Sequence, residues 1–101
     1  MITLREFDEL ARAATADVVA FARFVNQSEF LWAGADDAHA RERYAAAWFD
    51  AEIINALALE RWDGEGRPAV WNAIWHSAFQ QDAAQAVAGM RAAAAYFSAE
   101  K

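Results

Sequence analysis

Residues 68–98 read PAVWNAIWHSAFQQDAAQAVAGMRAAAAYFS, a long stretch that carries only two charged residues, Asp82 and Arg91. Pro68 suits the first position of a helix, because its missing N–H would have no partner there in any case. The stretch therefore predicts one helix over 68–98. A helix with so little charge is either the centre of a bundle or covered on its second side by a partner.

Another helix is predicted over residues 4–26. Thr3 and Glu6 form a capping box, in which each side chain bonds the backbone N–H of the other residue. Apolar residues then recur at alternating spacings of three and four: Leu4, Phe7, Ala11, Ala14, Val18, Phe21 and Val25. This spacing places them on one face of a helix, which is predicted to enter the core.

The middle helix is predicted over residues 37–62, with Asp36 and Asp37 as candidates for its N-cap. Its core face follows the same spacing: Tyr44, Trp48, Ala51, Asn55, Ala58 and Trp62. A loop with two glycines, residues 63–67, separates it from the last helix. The chain is therefore predicted to be a single all-α domain that forms a homodimer. The domain would be a three-helix antiparallel bundle, with helices over 4–26, 37–62 and 68–98.

The middle helix carries a second apolar stripe, Phe49, Ile53 and Leu57, which is rotated well away from its core face. A small protein seldom leaves such a row exposed to water. If the first helix covers the stripe, the stripe belongs to the core and has no external role. Otherwise it meets its own copy or a foreign protein, and the neighbouring carboxylates form the rim of that interface: Asp50, Glu52 and Glu60.

Polar residues on the predicted core faces are candidates for a binding pocket. Asn55 interrupts one face and Asp82 another, and buried polar groups need partners. We expect indole N–H groups of Trp48 and Trp75 to serve them and so to fix the register of the helices. The alternative is a Trp-rich cavity in which Asp82 receives a cationic ligand; its candidate residues are Trp48, Asn55, Trp71, Trp75, His76 and Asp82. His76 is expected to be a boundary residue beside an interface, not a general base.

Composition argues against several classes of function. The net charge is −6, and residues 35–66 alone carry eight acids and three bases. Such an acidic chain is a poor ligand for nucleic-acid phosphates and for anionic membrane surfaces. There is no cysteine, no zinc-ligand spacing and no phosphate-binding glycine loop, so no metal, cofactor or catalytic site is predicted. The charged first turn and the absence of a membrane-length apolar run predict a cytoplasmic protein.

These observations predict a non-catalytic helical module that binds another protein. By analogy of size and charge alone, small acidic inhibitors, immunity proteins and antitoxins of phages and plasmids present such a surface to a partner. Two alternatives stay open at this point. One is a small-ligand-binding domain that uses the Trp-rich cavity, and the other is a structural subunit of a larger complex.

Overall fold

The computed structural model describes residues 3–31 and 37–99, with side chains as far as Tyr96. Four helices and no strand lie within these ranges, so the prediction of an all-α fold is confirmed. The first three are α1, Leu4–Ala13; α2, Val18–Ser28; and α3, Ala38–Gly64. The last, α4, comprises an α-helical turn Asn72–Ile74, a π-helical turn Trp75–Phe79 and an α-helix Gln80–Ala99. The structure has four helices where three were predicted, because the first predicted helix is broken into two.

Asp17 makes the break between α1 and α2. At Asp17 the backbone is extended, with φ −162° and ψ 177°, and the carboxylate accepts a 2.7 Å hydrogen bond from the Ala20 N–H. A carboxylate that caps a new helix competes with continuation of the old one. The single helix predicted over 4–26 is therefore wrong. Its start is confirmed, since Thr3 and Glu6 form both bonds of the capping box at 3.1 Å.

The predicted core face survives this break. Of its seven residues, Leu4 is half-buried and the other six are buried. The ring centroids of Phe7 and Phe24 lie 5.5 Å apart, and those of Phe21 and Trp75 lie 5.7 Å apart. The predicted core face of α3 also points inward, with Tyr44, Ala51, Asn55 and Ala58 buried and Trp48 and Trp62 half-buried.

α3 begins where an aspartate caps it. The Asp37 carboxylate accepts hydrogen bonds from the backbone N–H groups of His39 at 2.8 Å and Ala40 at 3.3 Å, which confirms the N-cap predicted there. The other candidate, Asp36, lies outside the described residues. Beyond Gly64 the chain turns through Gly66, whose φ of 84° favours a residue without a Cβ atom.

α4 begins later than predicted. The Trp62 indole N–H donates a 3.1 Å hydrogen bond to the Pro68 carbonyl, which ties the connecting segment back to α3. The helix therefore starts at Asn72 and not at Pro68. Near this connection the Trp71 indole bonds the Glu65 carboxylate at 3.2 Å.

α3 and α4 run side by side in opposite directions. Glu65 at the end of α3 contacts Trp71 at the start of α4. Arg43, near the start of α3, lies over the ring of Tyr96 near the end of α4, with 4.4 Å from its guanidinium carbon to the ring centroid. α2 packs against α3, and α1 packs against both α2 and α4.

The π turn changes which residues of α4 face the core. The Gln80 N–H bonds the carbonyl of Trp75, five residues earlier, so this turn holds one residue more than an α-helical turn. Asp82 was predicted on a core face, but it is exposed, because the extra residue rotates it towards solvent. The buried residues beyond the turn are Ala83, Val87, Met90, Ala93 and Ala94.

Candidate functional site

The α3 stripe, defined as Phe49, Ile53 and Leu57, is exposed. The exposed fractions of the three residues are 59%, 47% and 55%. α3 packs against α2 and against α4, and neither helix covers these side chains. The alternative in which the first helix buries the stripe is therefore wrong, and the role of the stripe as an interface stays a prediction.

The predicted rim of the stripe consists of carboxylates that form no ion pair within residues 3–31 and 37–99: Asp50, Glu52 and Glu60. Nearby cations are engaged elsewhere. Arg61 Nε bonds Glu65 at 3.2 Å, and the guanidinium of Arg43 lies over the Tyr96 ring. The surface around the stripe is thus apolar in its middle and negative at its edge.

The residues predicted for a Trp-rich pocket do not share one cavity. Trp75 is fully buried and donates to a backbone carbonyl of the α1–α2 break, whereas His76 beside it is exposed. Trp71 is buried against the connection between α3 and α4. Asp82 and Asp50 line a shallow depression between α3 and α4. The two remaining residues, Trp48 and Asn55, line a common groove.

The α2/α3 groove is an open groove of about 840 Å³ between these two helices. Its α3 wall is formed by Trp48, Glu52, Asn55 and Leu59, at spacings of four, three and four. Its α2 wall includes Val19, Arg23 and Gln27, and Glu29 follows at the end of that helix. The sequence prediction missed Leu59 and the α2 wall. The spacing from Trp48 to Leu59 is a signal that would have found the first of these, because it marks a third face of the helix.

Asn55 is the least satisfied polar residue of the groove. Its side chain is only 7% exposed, and its Oδ1 atom has no hydrogen-bond partner in the described part of the chain. The indole predicted to serve it, that of Trp75, donates to the Thr15 carbonyl at 2.9 Å. The Trp48 indole, which was predicted to serve Asp82, donates to the Val25 carbonyl at 2.8 Å. The predicted partner of Asn55 is therefore wrong, and its buried amide oxygen lacks a donor within the described residues.

A second buried polar group, the Tyr44 hydroxyl, is satisfied. It donates a 2.6 Å hydrogen bond to the Ser28 carbonyl at the end of α2. Burial raises the pKa of Tyr44, so the hydroxyl stays a neutral donor. The Ser28 hydroxyl itself donates to the Phe24 carbonyl at 2.6 Å. This group joins α2 to α3 and is structural.

Within the described ranges, no three side chains of His, Cys, Asp or Glu are grouped as a metal site requires. Nor does any helix there combine the length and apolarity needed to cross a bilayer. Comparison of the chain with protein-family models, with curated proteins and with solved structures found no match in any of the three. The two surfaces on α3, the stripe and the α2/α3 groove, are the basis for inferring function.

Proposed function

We propose that the protein is a non-catalytic interaction module that binds another protein through the α3 stripe. The observation that carries the proposal is that Phe49, Ile53 and Leu57 lie one helical turn apart and are each about half exposed. Contiguous apolar surface of this kind on a small soluble domain is typical of a protein-binding site. Helices commonly dock on a groove or on another helix through such an i, i+4, i+8 row.

The charges around the stripe favour a basic partner. The rim carboxylates have no cationic partners within the described residues, and Arg61 and Arg43 are engaged elsewhere. A partner whose apolar surface is bordered by lysine or arginine would supply the missing charges. The net charge of −6 would also speed its approach. A small acidic inhibitor or adaptor acts on a basic target in this way.

Self-association through the same stripe is less favourable. A two-fold axis would bring the rim carboxylates of one copy close to those of the other, and like charges weaken such a contact. We therefore assign the stripe to a foreign protein. The predicted homodimer is the competing outcome of the experiment.

The experiment compares the stripe variant Ile53→Asp with the matched control Val70→Asp. Val70 is 89% exposed and lies outside the stripe, so both variants place a carboxylate at an exposed apolar site. Each tagged protein is used to capture partners from cells of the source organism. Captured candidates are then purified, and their affinity for each variant is measured.

The proposal requires a partner that binds wild type and Val70→Asp but not Ile53→Asp. Its affinity for wild type should fall as salt is added. Light scattering after size exclusion reports self-association. If wild type is a dimer and Ile53→Asp is a monomer, the stripe binds a second copy of the chain and not a foreign protein. An Ile53→Asp variant that circular dichroism shows to be unfolded would place Ile53 in the monomer core and overturn the proposal.

A further inference from the structure

We propose that the α2/α3 groove receives an arginine side chain of the partner protein. The source of this side chain rests on the proposed function, because the partner is the protein that covers the α3 stripe. The chemistry of the groove depends on its own residues alone.

The strongest indication is the amide of Asn55. It lies in the wall of the groove, more than nine-tenths buried, and its Oδ1 accepts no hydrogen bond from the described residues. A buried acceptor without a donor is costly, and a ligand that brings a donor removes that cost. Arginine carries five N–H donors and no acceptor, so it matches a carbonyl oxygen well.

The carboxylates of the groove favour a cationic donor over a neutral one. Glu52 stands one helical turn before Asn55 on the α3 wall, and Glu29 lies at the end of the α2 wall. Arg23 is the cation that lines the groove with them. None of the three charged residues forms an ion pair within the described part of the chain. With two carboxylates against one guanidinium, the groove has a net negative charge and room for one further cation.

Apolar groups of the groove suit the stem of an arginine. Val19, Trp48 and Leu59 line the walls beside the polar groups. The methylene groups of arginine pack on apolar surface while the guanidinium reaches polar partners. Guanidinium also stacks favourably on aromatic rings, which a lysine ammonium does less well.

The groove and the stripe are adjacent on α3. Glu52 lines the groove and immediately precedes Ile53 of the stripe, and it follows Phe49 by three residues. Residues three apart are neighbours on a helix surface. A partner segment that covers the stripe therefore needs only a long side chain to reach the groove.

The test uses N-acetyl-arginine amide as the probe and N-acetyl-norleucine amide as the uncharged control. The probe is titrated into the isotope-labelled full chain, and the Trp48 indole and Asn55 side-chain amide resonances are followed by NMR. We expect saturable shifts with the arginine probe and none with norleucine. Asn55→Leu should weaken binding roughly tenfold, since it removes a hydrogen bond to a charged group. Glu52→Gln should weaken it several-fold and should make it less sensitive to salt.

Ile53→Asp serves to separate this inference from the proposed function, since it alters the stripe and not the groove. The arginine probe should bind Ile53→Asp at least as tightly as wild type, because the added carboxylate lies next to Glu52. If a partner is never found but the probe binds as described, the groove chemistry stands and the proposed function alone fails. Equal shifts with the norleucine probe, no saturable shift with arginine, or undiminished binding by Asn55→Leu and Glu52→Gln would each overturn the inference.

Discussion

The indole nitrogen of Trp75 donates a 2.9 Å hydrogen bond to the carbonyl oxygen of Thr15, sixty residues earlier in the chain. The same oxygen accepts a 3.0 Å hydrogen bond from the side-chain amide of Gln80. Thr15 lies in the break between α1 and α2, and Trp75 begins the π turn of α4. The two irregular parts of the backbone therefore face each other. The Thr15 carbonyl, which has no helical partner at the break between α1 and α2, accepts hydrogen bonds from side chains at the two ends of the π turn.

Replacing Trp75 by phenylalanine should lower the free energy of unfolding. The variant keeps an aromatic ring in the core, but it removes one of the two donors to Thr15 and leaves a small cavity, which together should cost about 1–3 kcal/mol. Urea unfolding followed by circular dichroism measures the change. Val70→Ala, at a residue that is 89% exposed, is the control and should stay within about 0.5 kcal/mol of wild type. Equal stability of Trp75→Phe and wild type would mean that this hydrogen bond contributes nothing to the fold.

Removing the carboxylate of Asp17 should weaken the start of α2. The Asp17 side chain accepts from the Ala20 N–H at 2.7 Å, and loss of such a cap costs about 1 kcal/mol. Thermal unfolding of Asp17→Ala provides the measurement. Asp82→Ala removes an exposed carboxylate from α4 and should change stability by less than about 0.5 kcal/mol. A larger loss in Asp82→Ala than in Asp17→Ala would contradict both assignments.

Tyr44 should make the fold sensitive to alkaline pH. An unfolded tyrosine ionises near pH 10, and burial raises the pKa of Tyr44 in the folded state. The stabilisation is therefore fully present below about pH 10 and is lost as the pH rises from there towards the folded-state pKa. Urea midpoints measured between roughly pH 8 and pH 11 should fall for wild type. They should fall less for Tyr44→Phe, while Tyr96→Phe, at a residue that is 49% exposed, should keep the wild-type decline.

Asn55→Leu should leave the isolated protein more stable. The substitution removes a buried amide oxygen that has no partner in the described part of the chain, and relief of such a group is worth up to about 1–3 kcal/mol. The urea midpoint should rise. Asn26→Leu, at an exposed residue of the opposite wall, should change it little. A fall for Asn55→Leu would show that the amide is satisfied in solution, and it would remove the main reason for placing a donor in the groove.

How far the sequence predicted this structure depended on what spacing can detect. Alternating spacings of three and four placed Phe7, Phe21 and Tyr44 correctly in the core, because a buried face needs only side-chain periodicity. The same periodicity continues through the break at Asp17, so the break was not visible in it. The cap was visible only as one aspartate in an otherwise helical pattern.

Two further errors concern the polar residues and have different causes. One added residue rotated Asp82 out of the core, and no residue type in the turn signals it. The indoles of Trp48 and Trp75 bond carbonyls near the ends of helices, and so they were not available to the polar residues they were predicted to serve. The place of Asn55 on the core face of α3 was predictable from the spacing, whereas its lack of a partner depended on where the two tryptophans donate. The α3 stripe was predictable as a row because it lies on one regular helix, where helical angle alone places its residues on one face. Its exposure was not predictable in this way, because it depended on where the first helix packs.

Reversing one charge on the rim of the stripe should distinguish a basic partner from a second copy. Glu60 is exposed beside the stripe and forms no ion pair within the described residues, so Glu60→Lys removes an attraction to a basic partner and adds a repulsion. Exposed pairs are worth about 0.2–1 kcal/mol. The lost attraction and the added repulsion should together lower the affinity roughly two- to thirtyfold. In a two-fold homodimer the change places a lysine in both copies. Each lysine that lies against Asp50 or Glu52 of the other copy replaces repulsion with attraction, and self-association would strengthen. Glu9→Lys, an equal change of net charge on α1, is the control for long-range effects and should leave binding within roughly twofold of wild type. Calorimetry with the purified partner and light scattering of the free protein measure the two outcomes. An affinity that both variants lower equally would mean that net charge, and not the rim of the stripe, attracts the partner.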